Sequence, residues 1–214
     1  MADGLNVGAP GIVGDGVTDN RVALQAALTA VQGGDQIQLP CGTYKITGSI
    51  TATIAPGKNI TFIGAGQECT ILYFSGSGGL VFVKGSNNSS VNIGSFTNAT
   101  DTTGAQSAIQ LINPNVESNP ALDAPSFITN VNIRSIDMYR GNKWSDYWQY
   151  GIVQNNWSNV NILFSSFTGN KNLQGVGVRF VGKSASNNAV VSNVYGCFLP
   201  IYNMGMSMTN TRRE

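Results

Sequence analysis

Between Asn59 and Met208 one short pattern keeps returning, and it limits the folds open to this chain more than any other feature. Ile60-Thr61-Phe62-Ile63, Val91-Asn92-Ile93, Val131-Asn132-Ile133, Val160-Asn161-Ile162 and Val191-Ser192-Asn193 are short, mainly β-branched pieces, usually introduced by Asn or Ser. Val160 lies 29 residues after Val131, and Val191 lies 31 after Val160. An apolar residue follows seven places on in each case, at Met138, Phe167 and Phe198. A second set of strands, Leu80–Val83, Ile109–Leu111, Gly151–Val153, Val176–Phe180 and Ile201–Met204, lies between the first. Two or three strands per turn of about thirty residues, with no helix between them, is the unit of a parallel β-helix or solenoid. A sandwich or barrel is the competing reading, but those folds demand no fixed long-range period.

Composition enters where it excludes function. In 214 residues only 11% are charged, the net charge is +1, and there are 26 Gly and no His. A near-neutral surface argues against nucleic acid and anionic membrane as main partners, because both need a basic face. No apolar run approaches the roughly 20 residues of a membrane span, so membrane insertion is not expected. Met1–Asn6 lacks a basic start followed by an apolar stretch, so no signal peptide is visible there. Cys41, Cys69 and Cys197 form no C-x-x-C pair. Buried free thiols are the expectation; a Cys41–Cys69 disulfide is the alternative, since 28 residues is about one coil.

Ahead of the repeat, Gly14-Asp15-Gly16-Val17-Thr18-Asp19-Asn20 leads into an amphipathic helix over Arg21–Val31. Leu24, Leu28 and Val31 share one face with Ala27 beside them, Thr18 or Asp19 serves the first turn, and Gly33-Gly34 stops it. Solenoid ends must be covered, so residues 1–34 read as an arm and capping helix and 35–214 as a β-helix of about five coils, a single domain overall.

The string GDGVTDN, the helical ALQAAL, then IQLPCGTYKI, ITFIGAG and TIL resemble the N-terminal signature of the pectate-lyase-like right-handed parallel β-helix superfamily. Within it they are most similar to bacteriophage tailspike and polysaccharide depolymerase proteins. The resemblance covers about residues 11 to 74 and departs from the family at Cys41, where Ala is usual. It implies an all-β right-handed parallel β-helix with one N-terminal capping helix. It also implies a polysaccharide partner, a homotrimer, and a virion (phage tail) or extracellular setting.

Two coils are swollen: Val131 lies 40 residues after Val91, and Ile152 lies 43 after Ile109. The extra chain forms two insertions, Asn113–Pro125 and Tyr139–Tyr150, and projecting loops are where function concentrates. The second insertion gathers Arg140, Lys143, Trp144, Tyr147, Trp148 and Tyr150, and these are the expected substrate-binding residues. Flat aromatic faces with polar handles suit sugar rings, and the two cations suit acidic sugar groups. The same residue types also pack loops and line oligomer interfaces, and that alternative stays open.

For catalysis a glycosidase needs two carboxylates about 5 to 9.5 Å apart. Asp137 and Asp146 flank the aromatic loop and are the expected pair, with Asp123 or Glu117 as a third option; Asp137 equally suits an outward strand position. A lyase would use an Arg such as Arg134, Arg140 or Arg179 with a cation, but clustered Asp ligands are missing. No metal or cofactor is expected, and without His the commonest general base is gone. Two readings follow. One is a tailspike-type protein that binds and cleaves a cell-surface polysaccharide; the other is a non-catalytic spike or adhesin-like module that binds glycan or another virion protein.

Overall fold

The computed structural model describes residues 11–31, 36–55, 59–84, 90–112, 130–139, 146–155, 160–167, 175–182, 192–195 and 204–210. Among them lie sixteen strands and one helix. One sheet of ten strands holds β1 (Asp15–Asp19), β2 (Gln36–Leu39), β3 (Gly42–Thr47), β5 (Asn59–Gly64), β6 (Thr70–Ser75), β8 (Ser90–Thr100), β10 (Asn130–Tyr139), β12 (Val160–Leu163), β13 (Ser166–Phe167) and β15 (Ser192–Tyr195). A second sheet runs in the order β16 (Met204–Asn210), β14 (Val176–Gly182), β11 (Trp148–Asn155), β9 (Ala105–Ile112), β7 (Leu80–Lys84) and β4 (Ile50–Ile54). Each pairs in parallel with the equivalent strand one coil away, as in Val131↔Val160 and Ile109↔Ile152. The fold is a parallel β-helix.

The read repeat lands in register with one slip. Ile60↔Val91↔Val131↔Val160 stack as expected, but Val160 pairs with Ser192 rather than Val191. The slip sets Val194 over Ile162, keeping an apolar residue in that column; a one-residue error would turn the whole strand over. The last described strand, Met204–Asn210, stacks Met206 on Val178 in register, while Ile201–Asn203 of the expected Ile201–Met204 piece lie outside the described residues.

Alternation along each strand sorts side chains between core and surface. Ile37, Phe62 and Ile93 stack inward from one sheet, and Ile50, Leu80, Ile109, Ile152 and Val178 from the other, all buried. Phe62 and Phe96 meet edge to face at 5.7 Å. Gly64 sits where this stack bends: a Cβ there would come within 2.3 Å of the Ser95 carbonyl.

The helix α1 (Arg21–Ala30) covers the N-terminal end, burying Leu24, Ala27 and Leu28. Its first turn is served by Asp19, whose carboxylate accepts from the Arg21 N–H at 3.1 Å and from the backbone and hydroxyl of Thr47. Thr18 instead donates to Asp15. Asn20, fully buried, ties the arm to the first coil through its amide, with Val13 O, Thr18 O and Lys45 O as acceptors. Gln25 closes the edge of the second sheet as a strand would: its amide donates to Thr51 O and accepts from Thr51 N, both at 2.8 Å. The expected helix stop at Gly33-Gly34 lies outside the described residues.

One local expectation is corrected. Asn59 and Asn130, which introduce repeat pieces, are the first residues of their strands, and Asn92, Asn132, Asn161 and Asn193 stack in register. The non-glycine residues with positive φ among those described are Glu68, Ser95 and Phe164. Cys41 and Cys69 are not free thiols: they form a disulfide between adjacent coils, Cα atoms 4.7 Å apart. Parallel stacking places residues one coil apart side by side, and Gly42 N donates to Cys69 O at the same point.

Candidate active site

Where the first sheet hands over to the second, successive turns stack at one corner. The turn after β6 (Gly76–Gly79), the turn after β8 (Asp101–Gly104) and the approach to β11 (Asp146–Tyr147) lie one above another. Backbone bonds join them: Asp101 N donates to Phe74 O at 3.4 Å, Tyr147 N to Thr102 O at 3.3 Å, and Ala105 N to Tyr147 O at 3.0 Å. A Cβ on Gly79 would meet the Ser107 carbonyl at 2.0 Å, so the stack closes only around glycine.

Asp101 is the centre of this corner. Its carboxylate accepts from the Ser75 hydroxyl at 2.9 Å, the Gly76 N–H at 3.2 Å and the Thr102 hydroxyl at 3.1 Å. Partial burial works against its charge, but those donors, with the Tyr73 hydroxyl, outweigh it and hold the carboxyl below its ordinary range. Tyr73 faces outward from β6, half-buried, with Lys45 and Ala99 as in-register neighbours. Burial pushes its phenol up, and the charge of Asp101, its hydrogen bond and the charge of Asp146 push it further. Burial and the Asp101 carboxylate beside it therefore favour the protonated phenol.

Of the expected site residues, Asp146 is at this corner and only 4% exposed. Tyr147 is half-buried and lies across Gly104, where a Cβ would sit 3.3 Å from its hydroxyl. Asp137 occupies β10 in register with Thr97 and Ser166. Tyr150, half-buried, lies on the second sheet with the Arg179 guanidinium 4.9 Å from its ring centroid.

Trp148 departs from the expected sugar-facing role: it is fully buried, its ring 5.8 Å from Phe74 and its N–H donating to Asn98 O at 3.1 Å. As the first residue of β11 it takes the inward side of the alternation, so its faces pack the core. Arg140, Lys143, Trp144, Glu117 and Asp123 lie outside the described residues. Sequence reasoning missed Tyr73 and Asp101. The usable signal was period: Asp101 comes 26 residues after Ser75, one coil on. Among the described residues no three of His, Cys, Asp or Glu converge as metal ligands, and no helix is long and apolar enough to cross a membrane.

A family model described as rhamnogalacturonase A/epimerase, pectate lyase-like, matches residues 4–212. Three mannuronan C5-epimerases of Azotobacter vinelandii, AlgE1, AlgE5 and AlgE6, are 35%, 35% and 36% identical over 72 residues. The match takes in 31% of this chain and spans 5%, 7% and 8% of those relatives' lengths.

Proposed function

The chain belongs to the rhamnogalacturonase A/epimerase, pectate lyase-like family, and from that premise we propose that it is carbohydrate-active. It binds a polysaccharide across the stacked turns and cleaves it with Asp101 and Asp146, gathered about Tyr73. The observation that carries this reading is the stack of turns that sets Asp101, held by Ser75, Gly76 and Thr102, beside the Asp146–Tyr147 segment, whose Tyr147 N–H donates to Thr102 O at 3.3 Å. Two carboxylates are what glycoside hydrolysis requires. Asp101, held ionised, supplies negative charge for an oxocarbenium-like transition state; Asp146 supplies the second carboxyl; Tyr73, held protonated, donates to a sugar oxygen or to Asp101.

Asp137 is the weaker partner on geometric grounds. It pairs with Thr97, whereas Tyr147 bonds Thr102, five residues farther along.

One observation favours the second reading, a binding module without turnover: Asp101 already accepts from Ser75, Gly76, Thr102 and Tyr73. A carboxylate offers about four lone-pair sites, which leaves it no acceptor for substrate. A glycan array followed by mass analysis of the products separates the two. Cleavage predicts shortened products from the wild type and none from Asp146→Asn, with binding kept in both. Binding with no product from the wild type assigns the module reading.

The setting we propose is a tailspike-like virion component or an extracellular protein, in keeping with a Cys41–Cys69 disulfide that an oxidising environment maintains. The charge-poor chain leaves neutral faces for closed assembly, for which we propose a homotrimer. Light scattering checks it: a mass of 22.6 kDa rather than three times that would remove the trimer.

A further inference from the structure

At the capped end, side chains of α1 stand in for the strand that the second sheet lacks beyond β4. The Arg21 guanidinium donates to Ser49 O at 3.4 Å, and one turn on the Gln25 amide bonds both Thr51 O and Thr51 N at 2.8 Å. Four helical residues rise about 6 Å and two strand residues span about 6.6 Å, so helix and edge keep step. The next rung is Thr29 against Thr53, and there the ladder stops. Thr29 is a full amide group shorter than Gln25, and its hydroxyl bonds within the helix, donating to Gln25 O at 2.7 Å and accepting from Gln25 Nε2 at 3.3 Å.

Strand parity shows what the unfilled rung exposes. Ile50 N donates to Gly79 O at 3.2 Å, on the side of β7. Ala52 and Ile54 therefore also bond toward β7, while Thr51 and Thr53 turn their N–H and C=O the other way, toward α1. For Thr51 those groups meet Gln25; for Thr53 neither has a partner among the described residues. The groove at this rung has a volume of about 420 Å³ and is lined, among the described residues, by Gln25, Leu28, Thr29, Thr51 and Thr53. That is a small-ligand volume, with hydroxyls, an amide and one apolar side chain around it and no charge.

A peptide strand does not suit this edge, because strand addition needs a run of unpaired backbone groups, and Arg21 and Gln25 already occupy Ser49 O and Thr51. A compact neutral group suits it, one that accepts from a single N–H and donates to the neighbouring C=O. Adjacent sugar hydroxyls do both, since each is a donor and an acceptor. We propose that the Thr29–Thr53 rung is a site for one residue of a neutral saccharide, whose adjacent hydroxyls bond Thr53 N–H and C=O as the Gln25 amide bonds those of Thr51. The inference takes from the proposed function only that the ligand is a saccharide; it uses none of Tyr73, Asp101 or Asp146.

Calorimetric titration of the whole chain with neutral gluco-, galacto- and manno-configured trisaccharides tests it, and the wild type is expected to bind at least one. Thr29→Gln supplies the missing amide one turn beyond Gln25, and is expected to melt no lower than the wild type and to bind about tenfold or more weakly. Thr53→Pro removes the edge N–H without touching a ladder bond to β7, and is expected to weaken binding to a similar degree. Thr29→Ser keeps the rung open and is expected to bind as the wild type. No binding of any trisaccharide by the wild type, or wild-type affinity in either Thr29→Gln or Thr53→Pro, would overturn the site. If no product forms from polysaccharide while trisaccharide binding stays sensitive to Thr29→Gln, the cleavage reading falls and this site stands.

Discussion

Replacing Trp148 tests whether the aromatic run Trp144–Tyr150 serves the surface or the core. Trp148→Ala deletes a fully buried indole, its edge-to-face contact with Phe74 at 5.8 Å, and the donor to Asn98 O at 3.1 Å. Truncating a buried Trp costs about 3–5 kcal/mol in lost transfer and residual cavity. Orphaning a buried carbonyl adds about 1–3 kcal/mol. These overlap, and about 5 kcal/mol is the expected sum, a large part of a typical total stability of roughly 5–15 kcal/mol. Trp148→Phe keeps the ring contact but loses the donor, and is expected to cost about 2 kcal/mol. Urea unfolding followed by far-UV circular dichroism reads both, with the midpoint shifting at constant slope. Glycan affinity per folded molecule should be unchanged. A Trp148→Ala protein that unfolds like the wild type but binds glycan less well would refute the burial argument and return Trp148 to the surface.

Three further outcomes are expected. Cys41→Ser with Cys69→Ser frees a loop closed over 28 residues and should lower stability by about 3.5 kcal/mol on the chain-entropy model; a midpoint that ignores both the mutations and reducing agent would contradict it. Gly64→Ala forces a Cβ to within 2.3 Å of Ser95 O and 2.7 Å of Thr70, and because one of those neighbours is backbone the cost should reach about 2 kcal/mol or more, read as a lower melting temperature. Asp15, held near 2 by the Thr18 hydroxyl, Asp19, lowered by Thr47, and Asp101, lowered by its donors against burial, all bind protons more weakly folded than unfolded. Their contribution is present above the unfolded carboxyl value of 3.8 and is lost as pH falls toward about 2; a urea midpoint that is flat between pH 5 and pH 2.5 would show that these bonds do not form.

The sequence by itself determined the architecture, because a β-helix is written in a repeat that needs no tertiary information. Val131 and Val160 recur at coil spacing, Val91 precedes them by one swollen coil, and the structure stacks all three. The capping helix was equally legible, since Leu24, Ala27 and Leu28 mark one face by periodicity alone. Register to the residue was not: the choice between Val191 and Ser192 opposite Val160 depends on which alternate residues meet the core, and both strings contain apolar candidates. The disulfide needed the coil to bring Cys41 and Cys69 side by side. Only the stacking of turns decided the candidate site. Composition pointed to the aromatic insertion because Trp and Tyr are conspicuous, but whether a Trp faces solvent is set by its parity in the strand, and Trp148 falls on the inward side. Tyr73, on β6, and Asp101, in the turn after β8, are unremarkable in the sequence and are joined by a lateral spacing of one coil that only the wound chain creates.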